Sequence, residues 1–362
     1  MTTAILSSTA GTAVLKIFLL LVGFVLLVKG ADFFVDGASG IAKKLKISTF
    51  IIGVTVVAVG TSAPELAVTI VDAVNGSGEL IVGNILGSNI INVFLILGVS
   101  AIVCNLPVEK TSRFIDLPFL ILVNALFVVL GFVGQTFEWW EGLILLVLYF
   151  AFMAYNIVLA KKQSKVGLEQ ATAVSVAVEA PQPSEEKKSL YQRYRQGYDN
   201  LQSKVWFLII ITVVGLAMVV GGAQLVVTSA QYIAEDLIGI DPEIVALTVV
   251  AFGTSLPELV TSVSAARKGD VGIATGNIIG SNIANLLLIG GFGAICSKGG
   301  LAFSTQGLVS GLISLLAALL IFGFSLGKSK SLGKIAGTVM LVCLVCYYGF
   351  VFLNYYIFGL YQ

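Results

Sequence analysis

Long apolar stretches separated by short polar ones dominate this sequence. Ten apolar stretches reach the roughly 20 residues that a helix needs to cross the hydrocarbon core of a bilayer. The predicted spans are residues 13–42, 48–74, 79–103, 114–134, 138–160, 205–234, 243–266, 271–296, 306–326 and 335–358. The alternating strands of about ten residues that build membrane barrels do not appear. The pattern predicts an all-α polytopic membrane protein with about ten transmembrane helices.

Composition agrees with a protein surrounded by lipid. Hydrophobic residues make up 57% of the chain and charged residues only 11%, whereas soluble domains carry about 25% charge. The 362 residues include no histidine, which removes the commonest proton relay, metal ligand and partner of a nucleophilic serine. Cys343 and Cys346 lie in an apolar helical run without a second pair, so we interpret them as core residues.

A polar segment at 161–204 divides the chain. It contains Pro-Gln-Pro at 181–183 and is predicted to be a flexible linker, with a short interfacial helix around 191–202. If the ten spans alternate, the Lys and Arg clusters after spans 1, 3, 7 and 9 lie on the same side as this basic linker. The positive-inside rule then predicts a cytoplasmic linker and two outside termini, in the cell (inner) membrane.

Two blocks of sequence occur twice. VTVVAVGTSAPEL at 54–66 returns as LTVVAFGTSLPEL at 247–259, and GNILGSNIIN at 83–92 returns as GNIIGSNIAN at 276–285. Both blocks shift by 193 residues (60 to 253 and 83 to 276). Each half holds five spans, an odd number, so the second copy enters the membrane inverted, as in many secondary transporters. The predicted domains are a repeat at 1–160 (motifs 53–98), the linker, and a repeat at 205–362 (motifs 246–291).

One acidic residue of each first block, Glu65 or Glu258, falls well inside a predicted span. A carboxylate at mid-membrane costs roughly 2.5–3.5 kcal/mol even on lenient scales. Protonated glutamates that merely hold helices together are one interpretation. A cation site is the other, and it is favoured because no Lys or Arg lies near either glutamate in these spans.

A proline precedes each glutamate. Pro64 and Pro257 each remove a backbone N–H and clash with the carbonyl four residues back, that of Gly60 or Gly253. A single copy would be read as a simple kink. Two copies, each followed by Glu, predict that spans 2 and 7 are broken helices whose freed carbonyls line a cavity.

Hydroxyl groups surround the same positions, at Thr61, Thr254, Ser62 and Ser255. With two carboxylates they supply the hard oxygen ligands that Na⁺ prefers, and that Ca²⁺ requires in numbers of 6–8. Zinc and copper fit poorly without histidine. Two negative charges would balance one Ca²⁺ or partly balance several Na⁺. Mutually exclusive occupancy of such a site is all that counter-transport requires.

The second block contains small and polar residues. Its G-x-x-x-G pairs, Gly83/Gly87 and Gly276/Gly280, are interpreted as close helix-packing positions. Ser88 and Asn92, like Ser281 and Asn285, lie four residues apart on one helix face. Interhelical hydrogen bonding and ion binding would use the same Ser and Asn residues, and both interpretations stay open.

Span 1 carries charges that the second half lacks. Lys29, Asp32 and Asp36 lie near its cytoplasmic end, where the second half has Gln224 and Thr228 in roughly corresponding places. Pairing of Lys29 with Asp32 is the simpler expectation; drawing cations toward the site is the alternative.

The motifs G-T-S-x-P-E and G-N-x-x-G-S-N resemble those of the sodium/calcium exchanger family of Ca²⁺/cation antiporters, and most of all its compact prokaryotic members. The resemblance covers all ten spans. It implies alternating access by movement of spans 1 and 6, no cofactor, and Ca²⁺ and Na⁺ as transported ions. The implied site consists of a central Ca²⁺ site (Glu65, Glu258, Thr61, Thr254), flanking Na⁺ sites (Ala58, Ser62, Ser88 and Ala251, Ser255, Ser281), and Asn92 and Asn285 bordering the middle. Asn285, where some members have Asp, implies K⁺ independence.

Other functions are predicted to fit less well. A proton/calcium antiporter would use the same glutamates but typically carries G-N-x-x-E. A cation channel could share the broken helices. An intramembrane hydrolase lacks a histidine to activate Ser62 or Ser255, so we expect no enzyme.

Overall fold

The computed structural model describes residues 2–75, 78–174, 204–239, 251–327 and 330–353. It is nearly all-helical. The helices are α1 (Thr2–Leu45), α2 (Thr49–Thr61), α3 (Ala63–Asn75), α4 (Gly78–Ile91, π-helical Asn92–Leu97, then Gly98–Val103), α5 (Ser112–Gly134), α6 (Trp139–Val174), α7 (Val205–Ile238), α8 (Ala251–Thr254), α9 (Leu256–Arg267), α10 (Val271–Ala284, π-helical Asn285–Ile289, then Gly290–Cys296), α11 (Thr305–Ser325) and α12 (Lys334–Leu353). The strands are β1 (Leu106–Pro107), β2 (Thr136–Phe137), β3 (Leu301–Ala302) and β4 (Ser331–Leu332).

These helices confirm a multi-pass membrane protein. Within the described ranges, 8 helices are long and apolar enough to cross a bilayer, or 9 if the bent pair α2 and α3 counts as one span. They match nine of the ten predicted spans. The remaining one, at 243–266, begins in residues outside the description, and its described part forms α8 and α9.

The helix at the fifth predicted span is longer than predicted. α6 continues to Val174, well past residue 161, where the flexible linker was expected to begin. The rest of the linker, with the interfacial helix expected at 191–202, lies outside the described residues.

Two helices form the centre of the bundle. In the apolar windows of α4 and α10, 78% and 83% of residues are buried, against 11–39% for the other six spans. α10 reaches this position through its glycines. A Cβ on Gly276 would lie 2.5 Å from the Phe50 carbonyl oxygen, and one on Gly280 would lie 2.7 Å from that of Val54. The packing role is therefore confirmed for Gly276 and Gly280. No described atom comes within 4 Å of a Cβ on Gly83 or Gly87, and for them packing stays a prediction.

The two longest spans, α1 and α7, run antiparallel and pack closely against each other. A Cβ on Gly215 would lie 2.8 Å from the Gly30 carbonyl oxygen, and one on Gly222 would lie 2.8 Å from that of Gly23. Such close approach of backbones is how small residues join helices in lipid, where burying apolar surface provides no drive. α1 and α7 therefore form one closely packed pair.

Short strand pairs connect the two halves of the chain. β1 pairs antiparallel with β4, and β2 pairs antiparallel with β3. Each pair takes one strand from each half. β1 and β3 occupy equivalent places in the two halves, as do β2 and β4, so the two strand pairs are equivalent to each other. The loop between α4 and α5 therefore lies on the same side as the loop between α11 and α12, as alternating spans require.

An ion pair was predicted with the wrong partner. Asp32 does not pair with Lys29; Lys268 lies 2.8 Å from Asp36 and 3.5 Å from Asp32. The Ser264 hydroxyl also donates to Asp32 at 2.7 Å. The end of α9 and the following turn pack against α1, so a tertiary partner replaces the one expected within the helix.

Candidate cation site

Both halves interrupt a helix at the same motif position. α2 ends before Ser62 and α8 before Ser255, with φ/ψ of −85°/5° and −87°/2°, respectively. α2 and α3 meet at 41°. Pro64 and Pro257 follow within the first turn of the next helix, where a missing N–H costs nothing. The interruption thus lies two residues before each proline.

Each glutamate lies in the first turn of the helix after the interruption. Glu65 is 2% exposed and Glu258 1% exposed. Helix N-termini carry free N–H groups and a partial positive charge, which stabilise a carboxylate. The interrupted helices therefore help to offset the cost of placing carboxylates inside the membrane.

Hydroxyl groups from both halves meet the carboxylate of Glu258. The Ser62 Oγ donates to Glu258 Oε1 at 3.0 Å, and the Ser281 Oγ reaches the same oxygen at 3.5 Å. Ser62 belongs to the first half and Glu258 to the second. The arrangement therefore brings motif residues that are 196 positions apart into one cluster.

A second contact joins the halves beside this one. The Thr61 Oγ1 donates to Asn277 Oδ1 at 3.0 Å, while Asn277 Nδ2 donates to the Ser262 Oγ at 3.0 Å. Thr254, the counterpart of Thr61, is half-buried and also makes a polar or electrostatic contact. Thr61 therefore lies at the interface between the halves, and the place of Thr254 there stays a prediction.

Several buried oxygen atoms on the predicted site residues have no hydrogen-bond partner among the described residues. They are Glu65 Oε2, Glu258 Oε2, Ser88 Oγ, Ser255 Oγ, Asn92 Oδ1 and Asn285 Oδ1. Buried polar groups are almost always satisfied, and an unsatisfied one costs about 1–3 kcal/mol. Six of the 15 buried side-chain atoms without a partner among the described residues are thus oxygens of predicted site residues.

The two predicted backbone ligands are less clearly placed. Ala58 is fully buried, and its carbonyl oxygen accepts the Ser62 N–H at 3.0 Å. Ala251 is the first residue of α8, at the edge of a described range. Their carbonyl oxygens remain predicted ligands only.

Sequence reasoning missed polar residues within the repeated motifs. Asn89 and Asn282 are 0% and 2% exposed and connect α4 with α10. Asn277 holds Thr61, and buried Thr69 lies one turn beyond Glu65. All four have a polar counterpart 193 residues away. Comparing every polar position of the repeats would have found them.

Carboxylate, hydroxyl and amide oxygens make up this donor set. Hard cations such as Ca²⁺ and Na⁺ prefer these ligands. Among the described residues, no group of three or more Cys, Asp or Glu side chains could hold a metal ion. The donor set therefore consists of two carboxylates together with neutral oxygens.

The sequence matches the family described as sodium/calcium exchanger protein over residues 15–158 and 207–355. It is 34% identical over 303 residues to sodium/calcium exchanger MaX1 of Methanosarcina acetivorans, covering 76% of this chain and 82% of that protein. It is 33% identical over 333 residues to inner membrane protein YrbG of Escherichia coli, covering 91% and 96%.

The fold is similar to that of a solved exchanger. The sodium-calcium exchanger NCX_Mj, soaked with 2.5 mM Na⁺ and 1 mM Sr²⁺, superposes with a TM-score of 0.75 and 29% sequence identity. The match covers 92% of this chain and 98% of that one. The similarity therefore extends over both halves.

Proposed function

The chain belongs to the sodium/calcium exchanger protein family, and on that premise we propose that it exchanges Na⁺ for Ca²⁺ through the buried oxygens around Glu65 and Glu258. Its class is that of a multi-pass cation/Ca²⁺ exchanger; its relatives are transporters and not enzymes. The observation that carries the proposal is the set of six unpartnered buried oxygens contributed by both halves.

The proposed ligand sets follow the motif. Ca²⁺ binds centrally to Glu65, Glu258, Thr61 and Thr254. Na⁺ binds at flanking sites that contain Ala58, Ser62 and Ser88 in one half and Ala251, Ser255 and Ser281 in the other, with Asn92 and Asn285 between them. The direct approach of Ser62 and Ser281 to Glu258 supports this grouping, because the central and flanking sites then share a carboxylate.

Sharing of carboxylates couples the two ions. Two buried negative charges oppose any movement that would carry them unneutralised through the low-dielectric part of the bundle. One Ca²⁺ or several Na⁺ remove that barrier, and the shared oxygens keep both from binding together. The closely packed pair α1 and α7 moves against the other helices to change access from one side to the other.

The proposed topology places the protein in the cell (inner) membrane, with both termini outside and the linker in the cytoplasm. Two inverted five-helix repeats lie on either side of the linker. The strand pairs β1–β4 and β2–β3 support alternating spans. The Lys and Arg residues in the loops on the linker side indicate that this side is cytoplasmic.

Transport of radiolabelled Ca²⁺ into proteoliposomes tests the proposal. We expect uptake into vesicles loaded with Na⁺ and none into vesicles loaded with K⁺ or choline, because outward Na⁺ movement supplies the driving force. Uptake driven instead by an acid interior would assign the protein to proton-coupled exchange at the same site. Absence of uptake in every gradient, with vesicles shown to be sealed, would reject Ca²⁺ exchange.

A further inference from the structure

Four buried asparagines connect the two central helices. Asn89 and Asn92 come from α4, and Asn282 and Asn285 come from α10. All four are at most 2% exposed. Asn89 and Asn282 are repeat counterparts, as are Asn92 and Asn285. We call them the asparagine quartet.

The hydrogen bonds of the asparagine quartet cross between the helices. Asn92 Nδ2 donates to Asn282 Oδ1, and Asn285 Nδ2 donates to Asn89 Oδ1, each at 3.0 Å. The inner pair is held in turn by the backbone: Asn89 Nδ2 donates to the Asn282 carbonyl at 3.2 Å, and Asn282 Nδ2 donates to the Asn89 carbonyl at 3.4 Å. Each bond has a matching bond in the other half.

These bonds determine which way the outer amides face. A primary amide has its donor and its acceptor on opposite branches of one plane. Because Asn92 and Asn285 commit Nδ2 to the inner pair, their Oδ1 atoms point away from it, and both Oδ1 atoms lack a protein partner. A rotated amide would present N–H groups to a cation and repel it.

The outer asparagines also stand where the helices change geometry. α4 and α10 turn π-helical at Asn92 and Asn285, respectively. Single π-helical turns within α-helices recur at functional sites. Ser281, which reaches Glu258 at 3.5 Å, lies one turn before Asn285 on the same helix. Asn285 therefore lies one helical turn from a residue that reaches Glu258, and Asn92 has the same spacing from Ser88.

We propose that Asn89 and Asn282 are positioning residues that hold the Asn285 and Asn92 amides with their oxygens toward the transported cation. This inference rests on the proposed function of the site. It makes a crossed assignment: Asn89 acts through Asn285, and Asn282 acts through Asn92. Groups that orient a ligand without touching the ion typically change metal affinity 10–100-fold when they are lost.

A crossed set of double variants tests the proposal. Leucine has nearly the shape of asparagine, so Asn89→Leu removes the hydrogen bonds without leaving a cavity. We expect it to raise the apparent KM for Ca²⁺ about tenfold in proteoliposome uptake. The same change should have no further effect in an Asn285→Ala background and should keep its full effect in an Asn92→Ala background.

Three outcomes separate the possibilities. An Asn89→Leu effect of equal size in both backgrounds would mean a general packing role and overturn the inference. If Asn92→Ala and Asn285→Ala leave the KM for Ca²⁺ unchanged, the proposed site itself fails. If Asn89→Leu does not yield folded protein, the mirror set, Asn282→Leu with Asn92→Ala and Asn285→Ala, makes the same test with the backgrounds exchanged.

Discussion

Replacing either site glutamate by glutamine is expected to abolish Na⁺-driven Ca²⁺ uptake while leaving the protein folded. Glutamine keeps the volume and the acceptor oxygen of Glu65 or Glu258 but removes one of the two negative charges that balance Ca²⁺. In binding, removing one partner of a buried charge pair typically costs about 2–5 kcal/mol, which corresponds to a loss of roughly thirtyfold or more in affinity. Uptake rates and the yield of monodisperse protein would both be measured.

The matched control is another buried carboxylate. Asp116, at the start of α5, is 1% exposed, and neither of its carboxylate oxygens has a partner among the described residues. Asp116→Asn makes the same chemical change outside the proposed site, so transport should survive it. Normal exchange by both Glu65→Gln and Glu258→Gln would mean that the site assignment is wrong. Equal losses in all three variants would point to a general effect of neutralising buried acids.

Enlarging Gly276 is expected to have the second large effect, through the packing of α10 against α2. A Cβ there would lie 2.5 Å from the Phe50 carbonyl oxygen and 2.9 Å from the Val54 nitrogen. Both atoms are backbone, so the helices must separate. Overpacking typically costs 1–3 kcal/mol, which outweighs the gain of up to about 1 kcal/mol from replacing a helical glycine.

Thermal unfolding of the purified protein shows whether the cost of overpacking exceeds the gain in helix propensity. Gly276→Ala should lower the melting temperature, and Gly276→Leu should prevent recovery of stable protein, because no rotamer avoids the backbone of α2. Gly323→Leu on α11 is the control, since no described atom lies within 4 Å of a Cβ at that position. A melting temperature that rises in Gly276→Ala would show that helix propensity outweighs the contact.

The features that sequence predicted well are those that a local pattern determines. The length of the apolar stretches predicted the membrane helices, because a helix must be long enough to cross the lipid. Proline with glycine predicted the interruptions at Ser62 and Ser255, because the proline ring clashes with the preceding helical turn. Repetition also singled out Glu65 and Glu258, which are buried beside these interruptions; their role as ion ligands stays a prediction.

Features that depend on which helices meet could not be predicted in the same way. The partner of Asp32 is Lys268, 236 residues away, whereas the periodicity of one helix suggested Lys29. Within the asparagine quartet, Asn92 and Asn285 were candidates, but Asn89 and Asn282 were overlooked because one copy of G-S-N-I-x-N shows only that its residues are polar. Its crossed bonds exist only after α4 and α10 have come together. Pairwise contacts between the repeats carry this information, and periodicity does not.

The strand pairs have a consequence for biogenesis. β1 and β2 emerge with the first half of the chain, yet their partners β4 and β3 are synthesised only near the end. The backbone groups of β1 cannot pair before residues 331–332 have been synthesised, and those of β2 cannot pair before residues 301–302. Pairings so distant in sequence form late in folding. These contacts between the two sequence repeats therefore form only when both repeats have been synthesised. Assembly of the exchanger is completed only after translation of its final helices.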